Sequence, residues 1–255
     1  MVDYKIIISI KGKDKLTFFD ICMQEKVINF RGIKFYDMDF NYIINKLEKK
    51  GGVLVAPAAS ALVNIESDPQ YYQALIKSDI AILDSGFFCI LWRIFKKEKL
   101  SKFSGYLFLK KLILHLKNKK IKILSVDPCK IDSELNKNYL NKEGLYEVEN
   151  FIAPIYSKNN IKDENLLLKI KEFSPDYIFI NIGGQTQEVL GIYIKENISY
   201  NPSIICTGAA IAFLTGRQAP INYFIDKFYL GWLVRLLHGP KNVAGRILKS
   251  FLLIK

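Results

Sequence analysis

Short apolar runs recur along the chain, each closing on small or polar residues and each followed by a segment of helical spacing. "YKIIISI" (4–10) and "RGIKFYDMD" (31–39) read as opening strands, and "FNYIINKLEKKGG" (40–52) as a helix stopped by glycine. "VLVAP" (53–57) predicts a strand, and "DPQYYQALIKS" (68–78) a helix that Asp68 caps. "DIAILDSG" (79–86) is a strand closing on Asp84 and Gly86, "SGYLFLKKLILHLKNKK" (104–120) an amphipathic helix, and "IKILSVD" (121–127) a strand. "NLLLKIKEFSP" (165–175) and "TQEVLGIYIKEN" (186–197) predict helices around the strand "DYIFINIGG" (176–184), and "PSIICTGAA" (202–210) a last strand. The alternation predicts an α/β protein with a Rossmann-like, mostly parallel sheet flanked by helices. In such sheets ligands bind beyond the carboxyl ends of the strands. Those ends carry Pro57, Asp84, Asp127, Gly183, Gly184 and Gly208.

The tail has another character. From Lys227 to Lys255 there is no acidic residue, and six Lys or Arg side chains are interleaved with aromatic and aliphatic ones. Leu230, Leu233, Val234 and Leu237 repeat at helical spacing, as do Ala244, Ile247, Leu248, Phe251 and Leu252 after the Gly239-Pro240 break. The pattern predicts a core over residues 1–226 and a basic amphipathic helical appendage over 227–255. Such helices either pack on the core or lie on an anionic membrane surface.

Composition narrows the class. Half of the 255 residues are hydrophobic and 24% are charged, so the chain can bury a core. The formal charge of +12 favours phosphate-bearing partners: nucleic acid, nucleotides or anionic lipid. Nucleic acid is disfavoured, because the lysines lack interleaved aromatics and no helix-turn-helix signature is present. Cys22, Cys89, Cys129 and Cys206 are far apart, and His115 and His238 are the two histidines, so no metal site is expected. Scattered cysteines fit a reducing cytoplasm. The N-terminal sequence has no signal-peptide pattern. No run reaches the roughly 20 apolar residues of a spanning helix. The richest stretch, "FFCILWRIF", is interrupted by Arg93.

The chemistry-bearing residues sit at strand ends. Asp84 in "AILDSGFF" would reach the rim of the sheet, where a carboxylate serves either as a general base or as a turn residue and helix cap. Gly183 and Gly184 in "NIGGQTQEVLG" let a backbone approach a ligand. Gln187 and Glu188 follow at a helix start, where they either bind sugar hydroxyls or cap the helix. "CTGAAIAFLTG" repeats the strand-glycine-helix theme, and its small residues allow a helix N-terminus to approach phosphate. It is neither a Walker loop nor a good GxGxxG. Gln185, Gly208, Ala209 and Arg93 complete the candidate substrate-binding set.

The order of these pieces is informative: "LDSGFFCILWR", "NIGGQTQE", "TGAAIAFLTG", then "RQAPINYFIDKFYLGWLVRLLHGPKNVAGR". Taken together, from about residue 28 to about residue 248, the chain resembles the WecG/TagA/CpsF family of bacterial glycosyltransferases. The resemblance implies transfer of an N-acetylhexosamine-type sugar from a nucleotide donor, UDP-linked by expectation, to a polyprenyl- or lipid-pyrophosphate-linked glycan acceptor. It implies inversion at the anomeric carbon, no metal cofactor, and a role in capsule or other cell-envelope polysaccharide synthesis. It makes Asp84 the catalytic base, Gln187 and Glu188 the lining of the sugar-nucleotide pocket, and Arg235 and Arg246 basic residues of an appendage that closes over the site. It implies a cytoplasmic protein peripheral on the inner face of the membrane, and leaves self-association open. The chain departs from the family pattern at Ala56–Ala58, where a Thr-Pro-Asn-like element is usual, and at Asp84-Ser85-Gly86, where the acidic residue and glycine are adjacent. It departs again at Gln185-Thr186 and at Ala212. These changes imply a divergent member whose donor sugar differs from N-acetylmannosamine. The alternative is a non-catalytic nucleotide-sugar- or partner-binding subunit of a polysaccharide assembly complex.

Overall fold

The computed structural model describes residues 25–157 and 160–218. The first expected strand, at 4–10, and the appendage at 227–255, with Arg235 and Arg246, lie outside the described residues.

Strands β1 (Val27–Phe30) and β2 (Ile33–Tyr36) form an antiparallel hairpin, with Val27 opposite Tyr36 and Phe30 opposite Ile33. This corrects the single strand expected over 31–39. Arg31 and Gly32 both take positive φ (50° and 82°), the two-residue turn whose twist matches a hairpin.

Helix α1 (Phe40–Lys50) starts where Asp39 accepts the Tyr42 amide at 2.8 Å, and buries Ile43, Ile44 and Leu47. Then follow β3 (Gly52–Val55), the short α2 (Ala59–Leu62), and α3 (Pro69–Lys77), which Asp68 caps through the Tyr71 amide at 3.0 Å. Strand β4 (Ile80–Ile82) leads into α4 (Gly86–Lys96) and α5 (Gly105–Leu116). The next unit is β5 (Ile123–Asp127), α6 (Lys130–Lys142) and β6 (Val148–Ile152). The last described units are α7 (Glu164–Phe173), β7 (Tyr177–Ile180), α8 (Thr186–Asn197), β8 (Ser203–Cys206) and α9 (Ala210–Leu214).

Among the described residues the strands form one sheet in the order β1-β2-β4-β3-β8-β7-β5-β6, parallel except for the hairpin. Every residue of β3, β5, β7 and β8 is buried, as expected for strands covered on both faces. Alternation splits the core in two. Val53, Val55, Ile204 and Cys206 pack with α2, α3, α4, α7 and α8. Leu54, Ile205 and Phe179 pack on the opposite face with α1, α5, α6 and α9.

Strands β5 and β7 are neighbours whose connections diverge. The chain leaves β5 through α6 toward β6 on one side, and leaves β7 through α8 toward β8 on the other. Such a switch point opens a crevice at the carboxyl ends of the strands.

Candidate active site

Asp84 lies two residues beyond the end of β4 and is half-buried at the rim. Its Oδ1 accepts the Gly105 amide at 2.8 Å, which ties it to the first residue of α5. A carboxylate at a helix N-terminus is favoured by the exposed amides and the dipole. The backbone holds it there: the Asp84 amide donates to the Ile82 carbonyl, and the Phe103 amide to the Leu83 carbonyl, both at 3.0 Å. Gly105 is squeezed between two other strand ends. A Cβ on it would lie 3.2 Å from the Ala56 Cβ and 3.3 Å from the Thr207 Cβ. Asp84, Ala56 and Thr207, from the loops after β4, β3 and β8, therefore meet around the α5 N-terminus.

The second cluster joins the loops after β7 and β8. Gln187 Oε1 accepts the Gly208 amide at 2.7 Å, and Gln187 Nε2 donates to Glu188 Oε1 at 3.1 Å. Glu188 Oε2 accepts the Gln185 amide at 2.7 Å, so the carboxylate clasps the start of its own helix. Gln185 takes a positive φ of 75° at that turn. Gln187 and Glu188 are 4% and 1% exposed, so both side chains face the protein rather than the crevice. Burial pushes the Glu188 carboxyl up to about 7, partly offset by bonds from Gln187 and the Gln185 amide. Beneath it sits Tyr71, fully buried, its hydroxyl without a partner among the described residues. Burial and the nearby Glu188 charge both raise the Tyr71 pKa. Helix α8 can lie this close to the sheet because Gly191 has no side chain: a Cβ there would be 2.8 Å from Cys206 Sγ.

Gly183 and Gly184 differ from these packed glycines. Both are exposed, and a Cβ on either would meet nothing within 4 Å. Neither has positive φ. Gly208, by contrast, takes φ +57°, and Ala209 beside it is exposed. Open space over a glycine pair at a sheet rim is where a ligand backbone or phosphate can approach closely.

The sequence model of the family described as "Glycosyl transferase WecG/TagA/CpsF family" matches residues 28–254. The chain belongs to this family. A stretch of 88 residues, 34% of each chain, is 30% identical to N-acetylglucosaminyldiphosphoundecaprenol N-acetyl-beta-D-mannosaminyltransferase of Staphylococcus aureus strain MW2. The same figures hold for the protein of strain NCTC 8325 / PS 47, and the identity is 28% for that of strain MRSA252. The matched region spans about a third of the length of these curated relatives. Among the described residues no helix is long and apolar enough to cross a membrane, and no three His, Cys, Asp or Glu side chains are grouped to hold a metal.

In this WecG/TagA/CpsF chain the switch point holds a polar cluster of which the sequence offered Asp127 as a strand end but not its partners. Asp127 is fully buried. Its Oδ1 accepts from Ser125 Oγ at 2.9 Å, Asn136 Nδ2 at 2.7 Å and Asn181 Nδ2 at 2.8 Å. Its Oδ2 accepts from Asn150 Nδ2 at 3.0 Å. Donors from β5, β6, α6 and the end of β7 thus converge on one buried carboxyl group and supply the hydrogen bonds it would otherwise take from water. The signal was present as polar residues inside apolar runs, Ser125 in "IKILSVD" and Asn181 in "DYIFINIGG". Arg93 is exposed in the last turn of α4. Ala212 is half-buried within α9.

Proposed function

We propose that this chain is an inverting glycosyltransferase of cell-envelope polysaccharide synthesis. It would move an N-acetylhexosamine-type sugar from a nucleoside diphosphate donor, UDP by expectation, to an N-acetylglucosamine carried on a lipid pyrophosphate. Family membership supports sugar transfer, and the acceptor named for the Staphylococcus aureus relatives supports the acceptor class. One structural observation carries the reading. The expected base, Asp84, and the two glycine turns share one rim, linked through Gly105 packed on Thr207 and Gly208 bonded to Gln187.

In this reading the donor diphosphate lies over Gly183 and Gly184, and the loop after β8 closes its other side at Gly208 and Ala209. Gln187 and Glu188 act from beneath, holding the two turns in register. Asp84 takes the proton from the acceptor hydroxyl as that oxygen bonds to the anomeric carbon from the face opposite the leaving group. The bond from that carbon to the diphosphate oxygen breaks, and the nucleoside diphosphate leaves with the electron pair. Arg93, Arg235 and Arg246 are proposed to meet pyrophosphate, on the leaving nucleotide or on the acceptor. No metal is assigned a role. The protein is placed at the inner face of the membrane, where a lipid-linked acceptor would be met.

The test is Asp84→Asn. Asparagine keeps an oxygen to accept the Gly105 amide but cannot take a proton. Transfer is expected to fall by roughly 10²–10⁴-fold, with the thermal shift produced by the nucleotide donor retained. Unchanged turnover removes Asp84 as the base.

A further inference from the structure

Helix α4 begins two residues after Asp84 and is apolar nearly all round. Its core side is made by Phe88 and Cys89, both buried, and by Trp92, which packs on Phe88 and Phe30. Phe87, Ile90, Leu91, Ile94 and Phe95 follow i, i+3, i+4, i+7, i+8, the spacing that normally turns a stripe toward a core. Here only its start meets the core, where Phe87 packs, and the rest points outward. Ile90, Ile94 and Phe95 are 42%, 61% and 56% exposed, and Phe87 and Leu91 are half-exposed.

Basic side chains frame the stripe. Arg93, Lys96, Lys97 and Lys99 are exposed on the same helix and the turn after it. The one acidic residue in that run, Glu98, turns inward, accepting from Trp92 Nε1 at 3.2 Å and pairing with Lys26 at 3.5 Å. A helix presenting exposed Ile and Phe beside cations with no ion-pair partner among the described residues matches the boundary between acyl chains and anionic headgroups. Position agrees with chemistry. At about 1.5 Å of rise per residue, Ile94 and Phe95 stand on the order of 15 Å along the helix from the Asp84 loop.

We propose that the outward face of α4 docks on an anionic lipid bilayer, with Ile90, Ile94 and Phe95 entering the interface and Lys96, Lys97 and Lys99 meeting lipid phosphates. This rests on the lipid-linked acceptor assigned above and gives it a geometry: the docked helix holds the mouth of the site at headgroup depth.

The test uses the full chain and vesicles of mixed phosphatidylglycerol and phosphatidylcholine, with phosphatidylcholine alone as the comparison. No glycan acceptor is included, so binding reads docking by itself. Ile94→Glu combined with Phe95→Glu is expected to weaken vesicle binding by about tenfold or more, since two apolar side chains no longer leave water. Leu168→Glu, exposed on α7, is expected to leave binding unchanged. Lys96→Glu with Lys97→Glu is expected to abolish the preference for phosphatidylglycerol without lowering the melting temperature, which keeps the test valid if the apolar variant misfolds. Vesicle binding unchanged in both variants overturns the proposal. So does a variant that binds vesicles normally but loses thermal stability or a self-association seen in the wild type, because the face then packs on this chain or on a second copy. Transfer to an acceptor analogue on a short, water-soluble lipid separates the two claims. Transfer without α4-dependent vesicle binding sinks the docking alone, and α4-dependent binding without transfer sinks the enzymatic reading alone.

Discussion

Gln187 Oε1 accepts the Gly208 amide at 2.7 Å across 21 positions of sequence. Gln187 lies in the first turn of α8, so this bond ties the loop after β8 to the start of that helix. Gln187→Leu keeps the bulk of the side chain but leaves the buried Gly208 amide without its acceptor. A loss of ~1–3 kcal/mol of stability is expected, together with weaker nucleotide-donor binding. Chemical denaturation and a donor titration check both. Full donor affinity in a destabilised variant would reduce Gln187 to a packing role.

Glu188 makes stability depend on pH with a definite sign. Its carboxyl is raised from 4.5 to about 7 in the folded protein. Between those values the folded state holds a proton that the unfolded state has released, so this group's contribution falls as pH rises from 4.5 to about 7. Above that window the cost is constant, on the order of 3 kcal/mol. Glu188→Gln removes the titration. The difference in unfolding free energy between wild type and variant, measured by urea at several pH values, should move in favour of the variant across that window and then level off. A difference that does not change with pH would show that Glu188 is already ionised at its lower end.

Gly183 and Gly184 separate ligand binding from folding. Neither position has a neighbour within 4 Å of a substituted Cβ, and neither has positive φ. Gly183→Ala and Gly184→Ala should leave stability unchanged or raise it by ~0.4–1 kcal/mol. Both should weaken binding of nucleoside diphosphates. A scan of melting temperature with and without ligand reads the two effects together, and undiminished ligand shifts would move the diphosphate elsewhere on the rim.

Asp84 both caps a helix and is the proposed base, and two substitutions divide the roles. Asp84→Asn can retain the bond from Gly105, whereas Asp84→Ala cannot. Both are expected to lose transfer, and alanine alone to lose about 1 kcal/mol of stability. Equal melting temperatures for the two variants would show that the cap contributes little.

Much of the fold was legible because it rests on strong local periodicity. The helices at Phe40–Lys50, Pro69–Lys77 and Thr186–Asn197 lie where spacing and caps placed them, Asp68 included. Other elements were not read, helices Ala59–Leu62 and Gly86–Lys96 among them. Helix Lys130–Lys142 buries Ser133, Asn136 and Leu140, so it has no apolar stripe to recognise. Strand Val148–Ile152 is an edge strand with one buried residue. The hairpin was taken for a single strand because its turn, Arg31-Gly32, is only two residues long.

By itself, the sequence determined the layered architecture and the order of the rim motifs. Alternating apolar runs must bury both faces of a parallel sheet, and that order is a property of the chain alone. Tertiary structure decided which of those groups meet. It paired Asp84 with Gly105 and Gln187 with Gly208, and gathered Ser125, Asn136, Asn150 and Asn181 around Asp127. It also turned Glu188 inward and the apolar stripe of Gly86–Lys96 outward, opposite to what each side chain's polarity suggests. Periodicity reports the angle of a residue about its own helix or strand. Burial and hydrogen bonding depend on what stands opposite, and that is set only when distant segments pack.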